Sequence, residues 1–409
     1  MSPESPEPPE SPEPPEPPES PESPESPVSP ESPEPPEPPE PPASPVSPES
    51  PEPPEPTASP EPPVSPASPE SPVESPLPRA LLVMEDRAFA LQFGPVEQAR
   101  LHALARVEEP LSVSELTSPE ARRRLDGAEV LITSWGCPRL DADVLDAAPR
   151  LRAVLHAAGS VRGHVTEAVF DRGILVTTAA DANAEPVVHF TLAAVLWAFK
   201  KAPFLAQDAR TYREDLTYVE GRGELSGVGR TVVVVGFSRI GSRLVRLLRE
   251  LDLARVLVVD PVADPAAVRA AGAEPVSLAE ALPQADVLSL HAPALPETRH
   301  LIGAAELAAL PPDAVLINTA RGSLVDTHAL EKACAAGLHA ILDVTEPEPL
   351  PADSPLYALP NVMLTPHIAG SLGSEARRMS GMALTELERL TSGRPPLAPL
   401  TRDSLTVQA

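Results

Sequence analysis

The stretch RTVVVVGFSRIGSRLVRLLREL, residues 230–251, decides the fold because it joins a β-branched strand to an amphipathic helix through a glycine turn. Gly236 ends the strand and Gly241 opens the helix, which is the context of the dinucleotide-binding turn G-x-G-x-x-G. There the free N–H groups and the dipole of the helix N-terminus favour a pyrophosphate. Ser238 replaces the middle glycine, which the turn tolerates if φ is negative at that position, and its hydroxyl can donate to phosphate.

The strand that follows this helix indicates which dinucleotide is bound. It ends at Asp260, 19 residues after Gly241. A carboxylate at this position can accept hydrogen bonds from both ribose hydroxyls and would repel a 2′-phosphate. We therefore predict NAD as the cofactor and expect NADP to bind less well.

Apolar runs of strand length lie on both sides of the turn and alternate with amphipathic segments, as in βαβ units with parallel sheets. The predicted strands are residues 80–86, 129–135, 151–157 and 174–178 in a first series, and 230–236, 255–260, 286–292, 314–320, 340–344 and 362–367 in a second. Helices are predicted over 183–201, between the series, and over 373–393, which can pack back on the first sheet. The pattern predicts an α/β protein with two open parallel sheets.

Residues 1–78 differ from the rest of the chain. They contain 34 of the 58 prolines and 18 of the 59 acidic residues, and they lack Lys, Arg and aromatic residues. Their triplets SPE and PPE match the three-residue period of polyproline II. Such a segment cannot bury a core, so we predict a disordered, acidic, proline-rich tail. It is either a spacer, a ligand for a proline-groove domain, or a translated repeat without a role.

The bulk composition excludes several classes of protein. Beyond the tail, 41 acidic side chains oppose 32 basic ones, which argues against a nucleic-acid partner. Cys137 and Cys334 match no metal or redox spacing, so we predict free thiols, a reducing compartment and no metal site. No signal-peptide pattern and no run of about 18 apolar residues occurs. We therefore predict a cytoplasmic protein that does not associate with membranes.

Three polar residues interrupt apolar runs near strand ends in the second series, where open α/β sheets present their chemistry. Arg321 follows LINTA, Glu348 lies in LDVTEPEP, and His367 closes VMLTPH. Reduction of a ketone beside a carboxylate needs a guanidinium fork for the carboxylate and an acid for the carbonyl oxygen. His367 suits the acid, and Glu348 can hold its imidazolium. Each residue alone is more often solvated or paired than catalytic, and only their joint pattern favours catalysis.

These stretches closely resemble the D-isomer-specific 2-hydroxyacid dehydrogenase family over about residues 79–395. The matching motifs are GFSRIGS, HAPALPETRHLIGAAELAALPPDAVLINTARGSLVD (291–326), LDVTEPEPLPADSPLYALPNVMLTPHIAG (342–370) and HAAGSVRGHV (156–165). The resemblance implies a Rossmann dinucleotide-binding domain inserted in a flavodoxin-like substrate domain. Residues 183–370 would form the NAD-binding domain, and residues 79–182 with 371–409 the substrate domain.

The resemblance also implies a role for each matched residue. Arg321 resembles the family's substrate-binding arginine, and His367 its general acid/base with Glu348 as partner. Backbone amides near Gly159 and Ser160 would meet the substrate carboxylate. The residues implied to contact the cofactor are Gly236, Ser238, Arg239, Ile240, Gly241, Asp260, Ala292, Pro293, Thr319, Asp343, His367 and Gly370. Family members are usually dimers through the nucleotide domain, so the resemblance implies a homodimer.

Besides Ser238, the chain departs from the family pattern at three positions. Gly163 and His164 stand where many relatives have Asp-Asn, and His189 stands in the hinge helix where a glutamate is common. These departures bear on domain closure or substrate choice rather than on hydride transfer. His291 is expected to serve the shape of its loop.

We predict an NAD(H)-dependent oxidoreductase that interconverts a small 2-oxo acid and its (R)-2-hydroxy acid. The alternative is an NAD-sensing binding protein similar to the transcriptional corepressors built on this fold. The sequence leaves the substrate open. Phosphoglycerate would need extra cationic ligands, for which Arg139, Arg152 and Arg162 are candidates, and Trp135 either lines the substrate pocket or packs in the core.

Overall fold

A computed structural model describes residues 77–407, so the predicted proline-rich tail lies almost entirely outside the described residues. Those residues form two β-sheets. The strands of the first sheet are β1 (Ala80–Val83), β2 (Ser112–Val113), β3 (Val130–Thr133), β4 (Ala153–His156) and β5 (Leu175–Thr178). The strands of the second are β6 (Thr231–Val235), β7 (Arg255–Val259), β8 (Glu274–Pro275), β9 (Val287–Leu290), β10 (Val315–Asn318), β11 (His339–Leu342) and β12 (Val362–Leu364).

Helices connect these strands and cover both sheets. The α-helices are α1 (Asp86–Gln92), α2 (Pro95–Leu104), α3 (Pro119–Gly127), α4 (Ala142–Asp146), α5 (Glu167–Asp171), α6 (Ala180–Lys200), α7 (Ala202–Tyr212), α8 (Gly241–Leu248), α9 (Pro265–Ala270), α10 (Leu278–Ala281), α11 (Ala304–Ala308), α12 (Thr327–Ala335), α13 (Ala376–Thr391) and α14 (Arg402–Val407). Short 3₁₀ helices span Thr217–Arg222, Leu282–Gln284, Pro296–Thr298, Gly322–Leu324, Pro355–Tyr357 and Gly373–Glu375.

The order of the strands shows where each sheet can bind a ligand. The first sheet is parallel with the order β2-β1-β3-β4-β5, which is the flavodoxin-like order. The second is parallel with the order β12-β11-β10-β9-β6-β7-β8, which is the Rossmann order with one further strand at the edge. The order reverses between β1 and β3, and again between β6 and β9. Ligands bind at the carboxyl ends of strands near such reversals. The two open parallel sheets confirm the predicted α/β fold class.

Strand β6 shows why the valine run forms the centre of a sheet. Val232 and Val234 point into one core, against Leu244 and Val245 of α8. Val233 points into the core on the opposite face of the sheet. All five side chains are fully buried. A parallel strand that is covered on both faces has no polar alternation, so its sequence reads as one apolar run.

The two predicted long helices are present. Helix α6 begins three residues before its predicted start, directly after β5. Helix α13 packs on the first sheet, where Leu384 and Leu387 share a core with Leu82 and Ile132. Within residues 77–407 no single helix meets the length and hydropathy needed to cross a bilayer, although α6 and α7 do so as a pair bent by 52°.

Candidate active site

The glycine turn after β6 is closed by contacts that exclude a side chain. Gly236 has a φ of 97°, and a Cβ there would lie 2.7 Å from the His291 carbonyl oxygen at the end of β9. A Cβ on Gly241 would overlap the Gly236 carbonyl oxygen. The described non-glycine residues with positive φ are Lys201, Arg213, His300 and His367. Ser238 is not among them, so its replacement of glycine requires no left-handed backbone.

A cavity of about 480 Å³ lies beside this turn and the N-terminus of α8. Its polar lining comes from the turn, from α8 and from the start of α9, with Ser238, Arg239, Ser242, Arg243, Arg246 and Asp264. Two of these arginines, Arg239 and Arg243, contact the Asp181 carboxylate at 3.3 and 2.7 Å. The cavity therefore combines cationic side chains with a helix N-terminus, which suits the phosphates of a dinucleotide.

Asp260 ties the glycine turn to the loop after β7. Its carboxylate accepts hydrogen bonds from the main-chain N–H groups of Phe237 (2.7 Å), Val262 (2.9 Å) and Ala263 (3.0 Å). A carboxylate offers about four acceptor positions, so one remains for a ribose hydroxyl. Asp260 thus shapes the glycine turn and keeps one acceptor position.

The three predicted catalytic residues follow neighbouring strands. Arg321 follows β10, Glu348 follows β11 and His367 follows β12, so all three lie at the carboxyl edge of the second sheet. His367 Nδ1 lies 2.7 Å from Glu348 Oε1, and the two side chains are 49% and 42% exposed. Because Nδ1 is engaged, Nε2 is the nitrogen left to exchange a proton with a ligand.

The main chain of His367 is held in an unusual conformation by Asp343. His367 has a φ of 54°, and its N–H donates to the carbonyl oxygens of Asp343 (2.9 Å) and Thr365 (3.0 Å). The buried Asp343 carboxylate accepts from the Thr365 hydroxyl (2.6 Å) and from the N–H groups of Ile368 (2.8 Å) and Ala369 (2.9 Å). Asp343 was predicted as a cofactor contact, and in the structure its carboxylate holds the His367 loop.

Two hydrogen bonds to neighbouring residues hold Arg321 in its loop. Its Nη1 donates to the Ala320 carbonyl (2.6 Å), and its own carbonyl accepts from Asn318 Nδ2 (2.9 Å). Burial lowers the pKa of Arg321, the Glu348 carboxylate raises it, and the Arg162 guanidinium lowers it. Arg321 is therefore partly shielded from water and lies within electrostatic range of both charged groups.

The loop of Gly159 and Ser160 rests on a pair of buried histidines. Thr133 Oγ1 lies 3.0 Å from His156 Nδ1 and 3.3 Å from His164 Nε2, and the two ring centroids are 4.5 Å apart. Burial lowers the pKa of His164 to about 4 and holds that of His156 well below its usual value. Both rings are therefore neutral near pH 7. The His164 side chain, which differs from the family pattern, is part of the core under the loop.

Sequence reasoning missed Asn183, near the start of α6. Its Oδ1 accepts from the N–H of Ser371 (3.0 Å), four residues after His367. Its amide also lies against two glycines, since a Cβ on Gly159 or Gly370 would lie 3.1 or 3.3 Å from it. Asn183 thus joins the Gly159 loop to the His367 segment. The only signal in the sequence was a polar amide at the first turn of a mostly apolar helix.

The remaining predicted residues lie around this edge. Ala292 and Pro293 follow β9, and the buried Thr319 lies 2.8 Å from the Thr191 hydroxyl of α6. His291 Nε2 pairs with the Ser289 hydroxyl at 2.8 Å, and burial lowers its pKa to about 3, in keeping with the expected shaping of its loop.

Three further features were singled out in the sequence. His189 is exposed on α6, 3.5 Å from Glu185. Trp135, at the end of β3, is 36% exposed. Cys137 and Cys334 are free, and burial raises the pKa of both thiols to about 12, which makes them poor nucleophiles.

Comparison with known proteins agrees with this geometry. A family model described as "D-isomer specific 2-hydroxyacid dehydrogenase, NAD binding domain" matches residues 193–369. A glyoxylate reductase of Aeropyrum pernix is 34% identical over 298 residues, which cover 70% of this chain and 86% of that protein. The chain belongs to the D-isomer-specific 2-hydroxyacid dehydrogenase family. This assignment confirms the predicted family, the class of NAD-dependent dehydrogenases and NAD as cofactor.

Two further relatives show how much of this chain, and of theirs, is similar. A D-3-phosphoglycerate dehydrogenase of Methanocaldococcus jannaschii is 31% identical over 295 residues, which cover 71% of this dehydrogenase but only 55% of that protein. This chain therefore spans about half the length of that relative. The crystal structure of a phosphoglycerate oxidoreductase from Rhizobium etli has a TM-score of 0.68 and 28% identity, covering 80% of this chain and 99% of that one.

Proposed function

We propose that this dehydrogenase interconverts a small 2-oxo acid and its (R)-2-hydroxy acid with NAD(H). The observation that supports the proposal is the 2.7 Å contact between His367 and Glu348, which follow β12 and β11 at the same carboxyl edge of the sheet where Arg321 follows β10. It combines a proton donor with a guanidinium for a carboxylate at one edge of one sheet. These are the two functions that reduction of a 2-oxo acid requires.

The residues around the glycine turn fit NAD. Gly236 and Gly241 exclude side chains from the turn, the cavity beside α8 is cationic, and Asp260 keeps one acceptor position for a ribose. When bound, the cofactor supplies hydride to the carbonyl carbon, or accepts it in the reverse direction. The residues of the chain must then hold the substrate and move the proton.

Arg321 and the main-chain N–H groups of Gly159 and Ser160 hold the substrate carboxylate in this proposal. The partial burial of Arg321 supports its role because a guanidinium that is partly shielded from water binds a carboxylate more strongly than an exposed one. Its planar fork also fixes the direction of the neighbouring carbonyl. Asn183 contacts Gly159 and Ser371, so it sets the spacing between the bound carboxylate and the His367 loop.

His367 Nε2 gives a proton to the carbonyl oxygen during reduction and takes it back during oxidation. Glu348 accepts from Nδ1, which fixes the orientation of the ring and stabilises the imidazolium. Both side chains are partly exposed, so the ring can regain a proton from solvent after each turnover.

The names of the two relatives, a dehydrogenase and a reductase, favour an enzyme over the NAD-sensing alternative. We further propose residues 183–370 as the NAD-binding domain, with residues 79–182 and 371–409 as the substrate domain. A homodimer through the nucleotide domain is supported by large exposed apolar side chains on α6, α7 and the following loop. These are Leu196, Trp197, Tyr212 and Leu216. The cytoplasmic location and the proline-groove partner of the tail stay predictions.

The test is to follow NADH absorbance with the full chain and a panel of 2-oxo acids that includes glyoxylate, pyruvate and hydroxypyruvate. We expect at least one substrate to be reduced. Arg321→Lys keeps the positive charge but loses the fork, so its KM is expected to rise while NADH still binds. If the full chain binds NADH but reduces no 2-oxo acid, the proposed function is wrong.

A further inference from the structure

Asp181, in the first turn of α6, contacts two arginines of the glycine turn and α8. Its carboxylate lies 2.7 Å from Arg243 Nη2 and 3.3 Å from Arg239 Nε. Both arginines line the cavity beside the turn, and Asp181 is not part of that lining. The acid that contacts this cationic wall therefore belongs to the helix that follows the first sheet, and not to the glycine turn itself.

The two guanidiniums meet Asp181 in different ways. Arg243 turns its fork to Asp181, because Nη2 donates to the carboxylate and Nη1 donates to the main-chain carbonyl at 3.4 Å. Arg239 meets the carboxylate only through Nε, and among residues 77–407 no acceptor engages its two Nη groups. An arginine that is held through Nε keeps both Nη groups for a second anionic group.

The position of Asp181 is fixed by the contacts of the same helical turn. The N–H of Asn183 donates to the Ala179 carbonyl at 3.0 Å, and its Oδ1 accepts from the N–H of Ser371 at 3.0 Å. An ion pair between two mobile side chains contributes little, but here one partner is a short side chain on an anchored turn. Loss of the carboxylate would free the long Arg239 side chain, and that freedom would have to be lost again when a ligand binds.

The charges of this group of side chains favour an anionic ligand. Two guanidiniums share one carboxylate, so the three side chains together keep a net positive charge. An anion bound to the Nη groups of Arg239 touches the guanidinium directly. It lies farther from the Asp181 carboxylate, which is 42% exposed and screened by solvent. Attraction to Arg239 therefore outweighs repulsion from Asp181.

We propose that Asp181 is a positioning residue for the cofactor, which holds Arg239 through Nε so that the free Nη groups bind the pyrophosphate of NAD. The inference goes beyond the proposed function, because it concerns the binding of the dinucleotide and does not depend on which acid is reduced. It makes the affinity for NAD depend on α6, the helix between the two sheets, as well as on the glycine turn.

The test is a double-mutant cycle on NADH binding by the full chain, measured by fluorescence titration. Asp181→Asn removes the charge and keeps the size, and we expect it to weaken NADH binding roughly three- to tenfold. Arg239→Gln is expected to weaken binding at least as much. If Asp181 acts through Arg239, adding Asp181→Asn to Arg239→Gln changes the Kd by less than about twofold.

The matched control for this cycle is Arg246→Gln. Arg246 lines the same cavity but, within the part of the chain that the structure describes, forms no ion pair with Asp181. The effects of Arg246→Gln and Asp181→Asn on the Kd are therefore expected to multiply. Effects that also multiply for Asp181→Asn and Arg239→Gln would overturn the inference.

A comparison of two ligands separates positioning from a merely structural role. ADP-ribose carries the pyrophosphate and adenosine does not, and displacement of NADH measures the binding of both. We expect Asp181→Asn to weaken ADP-ribose binding roughly three- to tenfold and adenosine binding less than twofold, and retained adenosine binding also shows that the variant is folded. An equal loss for both ligands would make Asp181 a structural contact and contradict the proposal.

The direction of the change excludes the opposite role for Asp181. Tighter NADH binding by Asp181→Asn would mean that Asp181 competes with the pyrophosphate for the two arginines, and unchanged binding would mean that it has no influence on them. Either result would overturn the inference. If the expected pattern of binding is found but no 2-oxo acid is reduced, the proposed function fails and this inference stands.

Discussion

The substitution Asp343→Asn tests how His367 is held in its loop. The buried carboxylate accepts two main-chain hydrogen bonds, from Ile368 and Ala369, and one from the Thr365 hydroxyl. These bonds lock the loop in which His367 keeps a φ of 54°. That conformation costs an L-residue roughly 1–2 kcal/mol, so the loop keeps it only while the surrounding contacts hold it.

The expected magnitude follows from what an amide can replace. The oxygen of the introduced amide can still accept, but its NH₂ group must face either Ala369 N–H or the pair formed by Ile368 and Thr365. Loss of a charge-assisted hydrogen bond, with one buried donor left unpaired, costs roughly 2–3 kcal/mol. Release of the loop moves His367 away from the substrate, and each 1.4 kcal/mol of barrier is about tenfold in rate. We therefore expect kcat to fall roughly 10- to 100-fold.

Urea unfolding and steady-state NADH oxidation measure the two effects. Thr365→Val is the matched control, because it removes one bond to the same carboxylate but keeps both main-chain bonds, and we expect it to cost about 1 kcal/mol. Its kcat should change less than threefold. If Asp343→Asn keeps both the kcat and the unfolding free energy of the wild type, the proposed role of Asp343 in holding the His367 loop is refuted.

Further variants test the cofactor turn and the buried histidines. Gly241→Ala places a Cβ on the Gly236 carbonyl and is expected to weaken NADH binding at least tenfold by fluorescence titration; an unchanged Kd would contradict the tight turn. Asp260→Ser removes the charge that repels a 2′-phosphate, so the ratio of Kd values for NADPH and NADH should fall at least tenfold, and a constant ratio would argue against ribose recognition at this residue. Burial lowers the pKa of His164 from 6.5 to about 4, so the unfolded chain binds its proton first and stability falls as the pH drops from 6.5 towards 4. His164→Asn should therefore reduce the loss of unfolding free energy between pH 7 and pH 5 by roughly 2 kcal/mol, and an unchanged loss would contradict a neutral buried ring.

The sequence was sufficient for the parts of the fold that depend on local pattern. The valines of β6 are buried on both faces of the sheet, so the apolar run alone predicts this strand and no knowledge of its neighbours is needed. The two-residue strands β2 and β8 were not predicted, because they pair at sheet edges and owe their conformation to β1 and β7. Each predicted strand except the one at 174–178 was also expected to run further towards its C-terminus, where the chain instead leaves the sheet in loops.

In the candidate site too, local pattern predicted some features, and contacts between distant parts of the chain could not be predicted. Strand ends predicted that Arg321, Glu348 and His367 would share one edge, because parallel strands place their carboxyl ends together. Contacts across long stretches of the chain could not be predicted in this way. The link from Asn183 to Ser371 depends on the docking of α6, which no local pattern encodes.

We propose that NADH transfers hydride to C2 of a 2-oxo acid and that His367 delivers the proton. The most direct measurement uses NADH deuterated at C4, with mass spectrometry and chiral chromatography of the product. We expect deuterium at C2 of an (R)-2-hydroxy acid, and turnover by His367→Ala at least a hundredfold lower with NADH binding retained. A product of (S) configuration, a product without deuterium at C2, or full turnover by His367→Ala would contradict it.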